Sequence, residues 1–331
     1  MRPLPLFMAT SLRSADQVVR ALALLALTLG SGSTAGFAQS PRPETPLVVE
    51  AEIELVSLTA VVHDSAGKPI HGLTAADVLV LEDARPQQLT YFREASGASD
   101  EKIPLSVVLV LDASGSMKHN LHFLQEAALR FVDKLESVDT ALVVQFNESI
   151  KGSADFTGDP ERLEQFVEAM QAWGGTSLYD AVHYGLERIR DKPGRKAIIV
   201  FSDGDDTTSS VFTEQGVIDY ARSAEATVYC VAIRGMSLLA HSPRGFLKRV
   251  AAETGGSYFS PDRVGDLIKV FSLIADELHN HYVLAYKPQR APDGTWRETT
   301  LRLLRKDLKN VTLRVRKGYF AVKRRPARGR P

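Results

Sequence analysis

A single cysteine in 331 residues excludes an internal disulfide, so the fold must be held by its core. That residue, Cys230, sits in the apolar run Thr227 to Ile233 and reads as a small buried hydrophobe instead of a reactive thiol. Long apolar runs are also missing. The longest near the start, Ala21 to Leu29, is nine residues, against the roughly 20 that a membrane-spanning helix needs. Net charge is zero, with 40 basic and 40 acidic residues, which excludes strong overall electrostatic steering of a partner. The eight histidines are scattered, and His279 with His281 lacks further Cys or His at zinc-ligand spacing. With 44% apolar and 24% charged residues, the chain is not a disordered one, and its length allows about two domains.

The two ends differ in character from the body. Arg13 and Arg20 precede the apolar run at 21–29, and small residues follow to Ala38, the three-part pattern of a secretory signal. Residues 1–38 are therefore expected to be removed, leaving an exported protein, periplasmic or extracellular, with no transmembrane segment. At the other end, residues 301–331 hold 12 Lys/Arg against Asp307 alone. The last stretch, 323–331, reads as a solvated basic tail that contacts the envelope through anionic lipid or cell-wall polymer. Without interleaved aromatics it does not read as a nucleic-acid binder.

Between the ends, β patterns flank an α/β pattern. Val49, Ala51, Ile53 and Leu55 alternate with Glu50, Glu52 and Glu54, the period of a half-buried strand. Turn chemistry at residues 64–69 separates this from short strands at Val78 to Leu81 and Gln88 to Phe92. Strands are expected again at Tyr282 to Tyr286, Thr299 to Leu304 and Val311 to Val315. Neither flank is large enough to stand alone. The expectation is an N-terminal β segment, 39–98, pairing with a C-terminal one, 282–322, as a small discontinuous β-sandwich domain interrupted by an α/β domain at 103–281.

Inside that central segment, Leu105 to Leu111 reads as a strand buried on both faces, ending in Asp112-Ala113-Ser114-Gly115-Ser116. A carboxylate and two hydroxyls at alternate positions of a tight turn can converge on a hard cation. Thr176 follows a Gly-Gly pair at 174–175, and Asp203 ends the apolar strand Lys196 to Ser202. Plainer readings exist for each piece. Asp112 to Ser116 suits a helix N-cap, Ser177 with Asp180 has the spacing of a capping box, and Asp203-Gly204 suits a turn. Helices are expected over His122 to Glu136 and over Pro160 to Ala172 behind Asp159 as N-cap. A hairpin is expected from Thr140 to Asn147 and Ile150 to Phe156, with right-handed crossovers elsewhere.

With Asp112, Ser114, Ser116, Thr176 and Asp203 in this order, residues 103–281 resemble the von Willebrand factor type A (VWA) family, whose metal-ion-dependent adhesion site uses D-x-S-x-S, a distant Thr and a distant Asp. The flanks resemble secreted bacterial relatives of that family through Gly72 to Val78, Glu82-Asp83, Tyr286-Lys287-Pro288, Asp293-Gly294 and Arg316 to Tyr319. The resemblance implies an α/β fold, doubly wound, with a mostly parallel sheet, helices on both faces, and the strands ending at Leu111 and Ser202 side by side. It implies metal ligation by Ser114, Ser116 and Thr176 directly and by Asp112 and Asp203 largely through water. Mg²⁺ is the first expectation, with Mn²⁺ and Ca²⁺ as alternatives. The function it implies is non-enzymatic: cation-dependent capture of a protein partner that presents an acidic residue, for adhesion or assembly. Two other readings stand beside it, a metal-independent envelope scaffold and a metal-dependent hydrolase with Asp205 or Asp206 as base. The hydrolase lacks a second metal cluster and an esterase elbow around Ser114, and a calcium loop starting at Asp203 lacks the glycine needed at Thr208.

Overall fold

The structure, a computed structural model, describes residues 55–65, 67–95, 103–203, 206–233 and 244–322. The leader at 1–38, the alternating stretch before Leu55, Gly204, Asp205 and the tail at 323–331 lie outside the described residues.

Four strands come first: β1 (Val56–His63), β2 (Val78–Glu82), β3 (Arg85–Gln87) and β4 (Leu89–Glu94). Asp83 and Ala84, at φ 45° and 63°, turn β2 into β3. Two consecutive residues with positive φ give the tight hairpin whose twist suits antiparallel strands.

The central layer is a six-stranded sheet in the order β10-β9-β8-β5-β6-β7. Its members are β5 (Leu105–Asp112), β6 (Thr140–Phe146), β7 (Ile150–Gly152), β8 (Arg195–Ser202), β9 (Thr227–Ala232) and β10 (Tyr258–Phe259). All pairings are parallel except that of β6 with β7, the expected edge hairpin. Every residue of β5 is buried, because helices cover both faces. On one side α1 (Leu121–Val132), α2 (Pro160–Glu168) and α6 (Leu267–His279) meet Val107, Leu109 and Leu111. On the other, α3 (Leu178–Arg190), α4 (Glu214–Ala224) and α5 (Arg244–Thr254) meet Val108 and Val110. This alternation divides one continuous apolar run between two cores. Asp159 caps α2, its carboxylate accepting from the Glu161 amide at 3.1 Å, with Pro160 at the first position. Both expected helices end sooner than the pattern suggested, α1 at Val132 and α2 at Glu168.

The chain then adds β11 (Tyr282–Tyr286), β12 (Trp296–Leu303), β13 (Thr312–Arg314) and β14 (Gly318–Phe320). These pair with the first four strands in two antiparallel sheets, β13-β1-β11-β4 and β14-β12-β2-β3. Val56 pairs with Tyr286, and Thr299 with Glu82. Both sheets supply one apolar core, including Leu58, Val80, Leu284 and Tyr286. Inside it lies the carboxylate of Glu82, 2% exposed. Its Oε2 accepts from the hydroxyls of Tyr286 (2.9 Å) and Tyr319 (2.7 Å), and its Oε1 from Arg297 Nη1 (3.3 Å). A buried charge is tolerable only when paired and hydrogen-bonded, and this network draws both conditions from three strands.

Candidate metal centre

Asp112 is the last residue of β5, and Ser202 ends its parallel neighbour β8, so the D-x-S-x-S turn and Asp203 emerge at the same edge of the sheet. Open parallel sheets place their sites at this carboxyl edge. The turn is fixed from both sides. The Ala113 amide donates to the Phe146 carbonyl (2.7 Å), the Trp173 amide to the Ala113 carbonyl (3.0 Å), and the Gly115 amide to the Gly174 carbonyl (2.9 Å). A Cβ at position 115 would stand 3.3 Å from that carbonyl oxygen, a tight contact that the glycine avoids. Met117, fully buried in the 3-10 turn Gly115–His119, pins the far side.

The side chains form one chain of oxygens. Asp112 Oδ1 accepts from the Ser114 amide at 2.8 Å and Oδ2 from the Ser202 hydroxyl at 2.6 Å. The Ser114 and Ser116 hydroxyls are 2.9 Å apart, and Ser116 donates to Asp203 Oδ1 at 2.7 Å. The structure thus brings Asp112, Ser114, Ser116 and Asp203 into direct succession. Thr176 makes no hydrogen bond to these four among the described contacts, and its backbone is held by the loop after β8. Its amide donates to Thr207 Oγ1 (2.9 Å), its carbonyl accepts from the amides of Thr207 (2.8 Å) and Thr208 (3.2 Å), and the adjoining Gly174 carbonyl binds the D-x-S-x-S turn.

The capping-box alternative is not formed. Ser177 makes no cap bond to α3, and its hydroxyl instead meets Thr208 Oγ1 at 2.8 Å. The Asp180 carboxylate turns outward to accept from the amides of Ser210 (3.0 Å) and Phe212 (2.9 Å). Asp206 Oδ1 accepts from the Tyr179 amide (3.1 Å) and the Ser209 hydroxyl (2.5 Å), so it builds the loop.

Burial pushes the Asp112 carboxyl up to about 6, against the pull of hydrogen bonds from Ser202 and Ser114, and the charge of Asp203 adds to the rise. Burial raises Asp203 as well. Two carboxylates brought together out of water, with hydroxyls and no compensating cationic side chain among these contacts, make an oxygen-only donor set whose charge a hard divalent cation would balance. The residues fit such an ion. Sequence reasoning passed over Ser202, which it read only as a strand end. The available signal was a lone hydroxyl closing an apolar strand immediately before Asp203.

At the opposite end of the sheet, Glu136, Asp139 and His279 also lie within ligand distance of one another. Asp139 is already occupied, accepting from the amides of Leu105 (3.0 Å) and Glu136 (3.1 Å) and contacting His279 Nε2 at 3.1 Å. It ties the start of β5 to the end of α6. Cys230 is fully buried in β9, and burial pushes its thiol up, in agreement with its reading as an inert core residue.

The profile of the family described as von Willebrand factor type A domain matches residues 106–272, just over half of the chain. An uncharacterized protein of Synechocystis sp. is 25% identical over 210 residues, 57% of this chain and 47% of that protein. Inter-alpha-trypsin inhibitor heavy chain H4 of Sus scrofa is 27% identical over 168 residues, 46% of this chain and 18% of that protein. The chain therefore spans less than half the length of either curated relative. Among solved structures, a von Willebrand factor type A protein from Catenulispora acidiphila superposes with a TM-score of 0.47 at 13% identity, over 80% of this chain and 73% of its own.

Proposed function

The chain belongs to the von Willebrand factor type A domain family, and we propose that it is an exported, non-enzymatic protein-binding module in which Asp112, Ser114, Ser116, Thr176 and Asp203 hold a divalent cation. The observation that carries this reading is the hydrogen-bonded succession from Ser202 through Asp112, Ser114 and Ser116 to Asp203 at the edge of two adjacent strands. Mg²⁺ held there supplies a coordination position open to a carboxylate from a protein partner. The three hydroxyls are neutral and leave much of the ion's charge for that partner, while Ser202 keeps Asp112 oriented. Trp173 (49% exposed) and Val211 (71% exposed), on the loops around the turn, offer the apolar contacts that a protein partner uses as anchors.

The same reading takes residues 1–38 as an export signal, 39–98 and 282–322 as one β domain, 103–281 as the domain inserted into it, and 323–331 as an envelope-facing tail. Export to the periplasm or beyond is supported by the leader pattern. Among the described residues no helix is long and apolar enough to cross a membrane. Calorimetric titration of the chelator-treated protein with Mg²⁺, Mn²⁺ and Ca²⁺, beside Asp112→Ala, tests the proposal. Binding by the native chain alone supports it. A partner captured equally with and without chelator, and equally by Asp112→Ala, would transfer the function to the scaffold reading.

A further inference from the structure

A cavity among the described residues lies far from the candidate metal centre. It has a volume of about 870 Å³ and is walled by the amino-terminal end of β8, the end of α4, and the loops and strand around β11, β12 and β14. Eight of its 22 lining residues are Lys or Arg and two are Asp or Glu. Both acids are spent on lining arginines, Asp191 on Arg190 (3.1 Å) and Glu225 on Arg316 (3.3 Å). Lys287, exposed on the loop after β11, has no carboxylate partner among the described residues.

Two further observations point to an occupant. The Nε atoms of Arg297 and Arg316, both in the cavity wall, are buried without a hydrogen-bond acceptor. The Arg297 side chain is 1% exposed, and its Nη atoms are taken by Glu82 and by the carbonyls of Arg290 and Ala291. Arg297 is closed off within the Glu82 and Tyr319 network, and Arg316, whose side chain is 14% exposed, is the one of the two arginines that a ligand can meet. The remaining wall is apolar and open: Leu55, Phe320 and Val322, at 41%, 37% and 55% exposure, are three of the nine large apolar side chains exposed among the described residues. Cationic donors beside an apolar wall, in a cavity within the ~300–1,000 Å³ range of small-molecule sites, match a ligand that is amphiphilic in the same sense.

We infer that this cavity binds a soluble single-chain amphiphile, an alkyl or aryl body bearing a carboxylate or phosphate head. The head lies toward Lys287 and Arg316, and the body lies along Phe320 and Val322. This site does not depend on the cation-binding reading, because it sits at the other end of the central sheet.

Octanoate and octyl phosphate are the probes, with octanol and inorganic phosphate as the two halves of the chemistry. Binding is measured by calorimetry on the full chain and by tryptophan emission of Trp173→Phe. That substitution leaves Trp296 as the reporter, its ring 5.1 Å from Phe320 and 5.2 Å from the Arg222 guanidinium. The expected result is saturable one-to-one binding of octanoate or octyl phosphate, a shift in Trp296 emission, and a loss of at least about tenfold in affinity in the exposed variant Lys287→Glu. Octanol and inorganic phosphate should bind at least about tenfold more weakly than the intact amphiphiles. Equal binding of octanol, unchanged binding in Lys287→Glu, or no binding of either amphiphile overturns the proposal. So does sedimentation with phosphatidylglycerol vesicles in the absence of octanoate and octyl phosphate binding, which would make this face a membrane surface.

Discussion

The Ser202 hydroxyl donates to Asp112 Oδ2 at 2.6 Å, so the last residue of one parallel strand orients the carboxylate that ends its neighbour. The bond crosses the central strand pair and does not depend on loop conformation. Ser202→Ala is expected to leave one Asp112 oxygen without its donor, to raise that carboxyl further, and to cost about 1 kcal/mol of stability. Affinity for Mg²⁺ should fall about tenfold, roughly 1.4 kcal/mol. Calorimetry and urea denaturation check the two numbers separately. Unchanged Mg²⁺ affinity would mean that Asp112 is oriented without Ser202.

The charge of Asp203 raises the Asp112 carboxyl, so the two carboxylates repel each other. Asp203→Asn removes one charge, so without divalent ions the variant should melt no lower than the native chain. Mg²⁺ at about a hundredfold excess over Kd should stabilise the native chain by roughly 2.7 kcal/mol and leave the variant unmoved. Thermal melts in chelator and in Mg²⁺ give all four values. An equal rise in both proteins would place the ion elsewhere.

The Glu82 network should be costly to break from one side. Glu82→Ala leaves Arg297 buried with only the more exposed Asp293 carboxylate, 3.5 Å from Nη2, and a loss of about 3 kcal/mol is expected. Tyr319→Phe removes one hydroxyl donor and should cost about 1 kcal/mol. Urea unfolding followed by tryptophan emission reads both, since Trp296 precedes Arg297 on β12. A loss below about 1 kcal/mol for Glu82→Ala would show that Arg297 finds water or another acceptor.

His281 sets a pH dependence. It is buried beside the Arg195 guanidinium, with Nε2 3.5 Å from Nη1, and burial followed by that charge lowers its pKa to about 3. The folded-state value lies below the unfolded one of about 6.5, so the unfolded chain takes up the proton first as pH falls. Stability from this residue is whole above pH 6.5 and declines between 6.5 and 3, by about 2 kcal/mol at pH 5. His281→Gln should flatten that part of the curve in denaturation series run from pH 8 to pH 4.5. An unchanged slope in the variant would assign the acid sensitivity to other groups.

Much of the central layer was legible because its signals are local and redundant. The apolar run of β5 is buried at every position, and the Asp159-Pro160 start of α2 matches its capping chemistry. The β layer was harder. β1, Val56–His63, was not read, because a strand with hydrogen-bonded neighbours on both sides and several buried positions in succession does not alternate cleanly. The three-residue strands β3 and β14 are too short to have a period. At the candidate site, residue types at the turn were readable, but the use of Ser202, Thr207 and Thr208 was not, since each acts through a partner distant in sequence. The capping-box spacing at Ser177 and Asp180 misled for the same reason: both side chains serve the loop after β8 and not their own helix.

Leu55 and Val322, the first and last described residues, line the same cavity at the amino-terminal end of β8. The D-x-S-x-S turn lies beyond the other end of that strand pair, about 23 Å away for seven strand steps. Leu55 and Val322 therefore lie at one pole, and the oxygen cluster occupies the other. Load applied between Leu55 and Val322 would fall first on the antiparallel pairs that join β1 to β11 and β12 to β14, while the parallel layer carrying the cluster stays outside the path of the force. A pull on that pole would therefore leave the oxygen cluster undistorted.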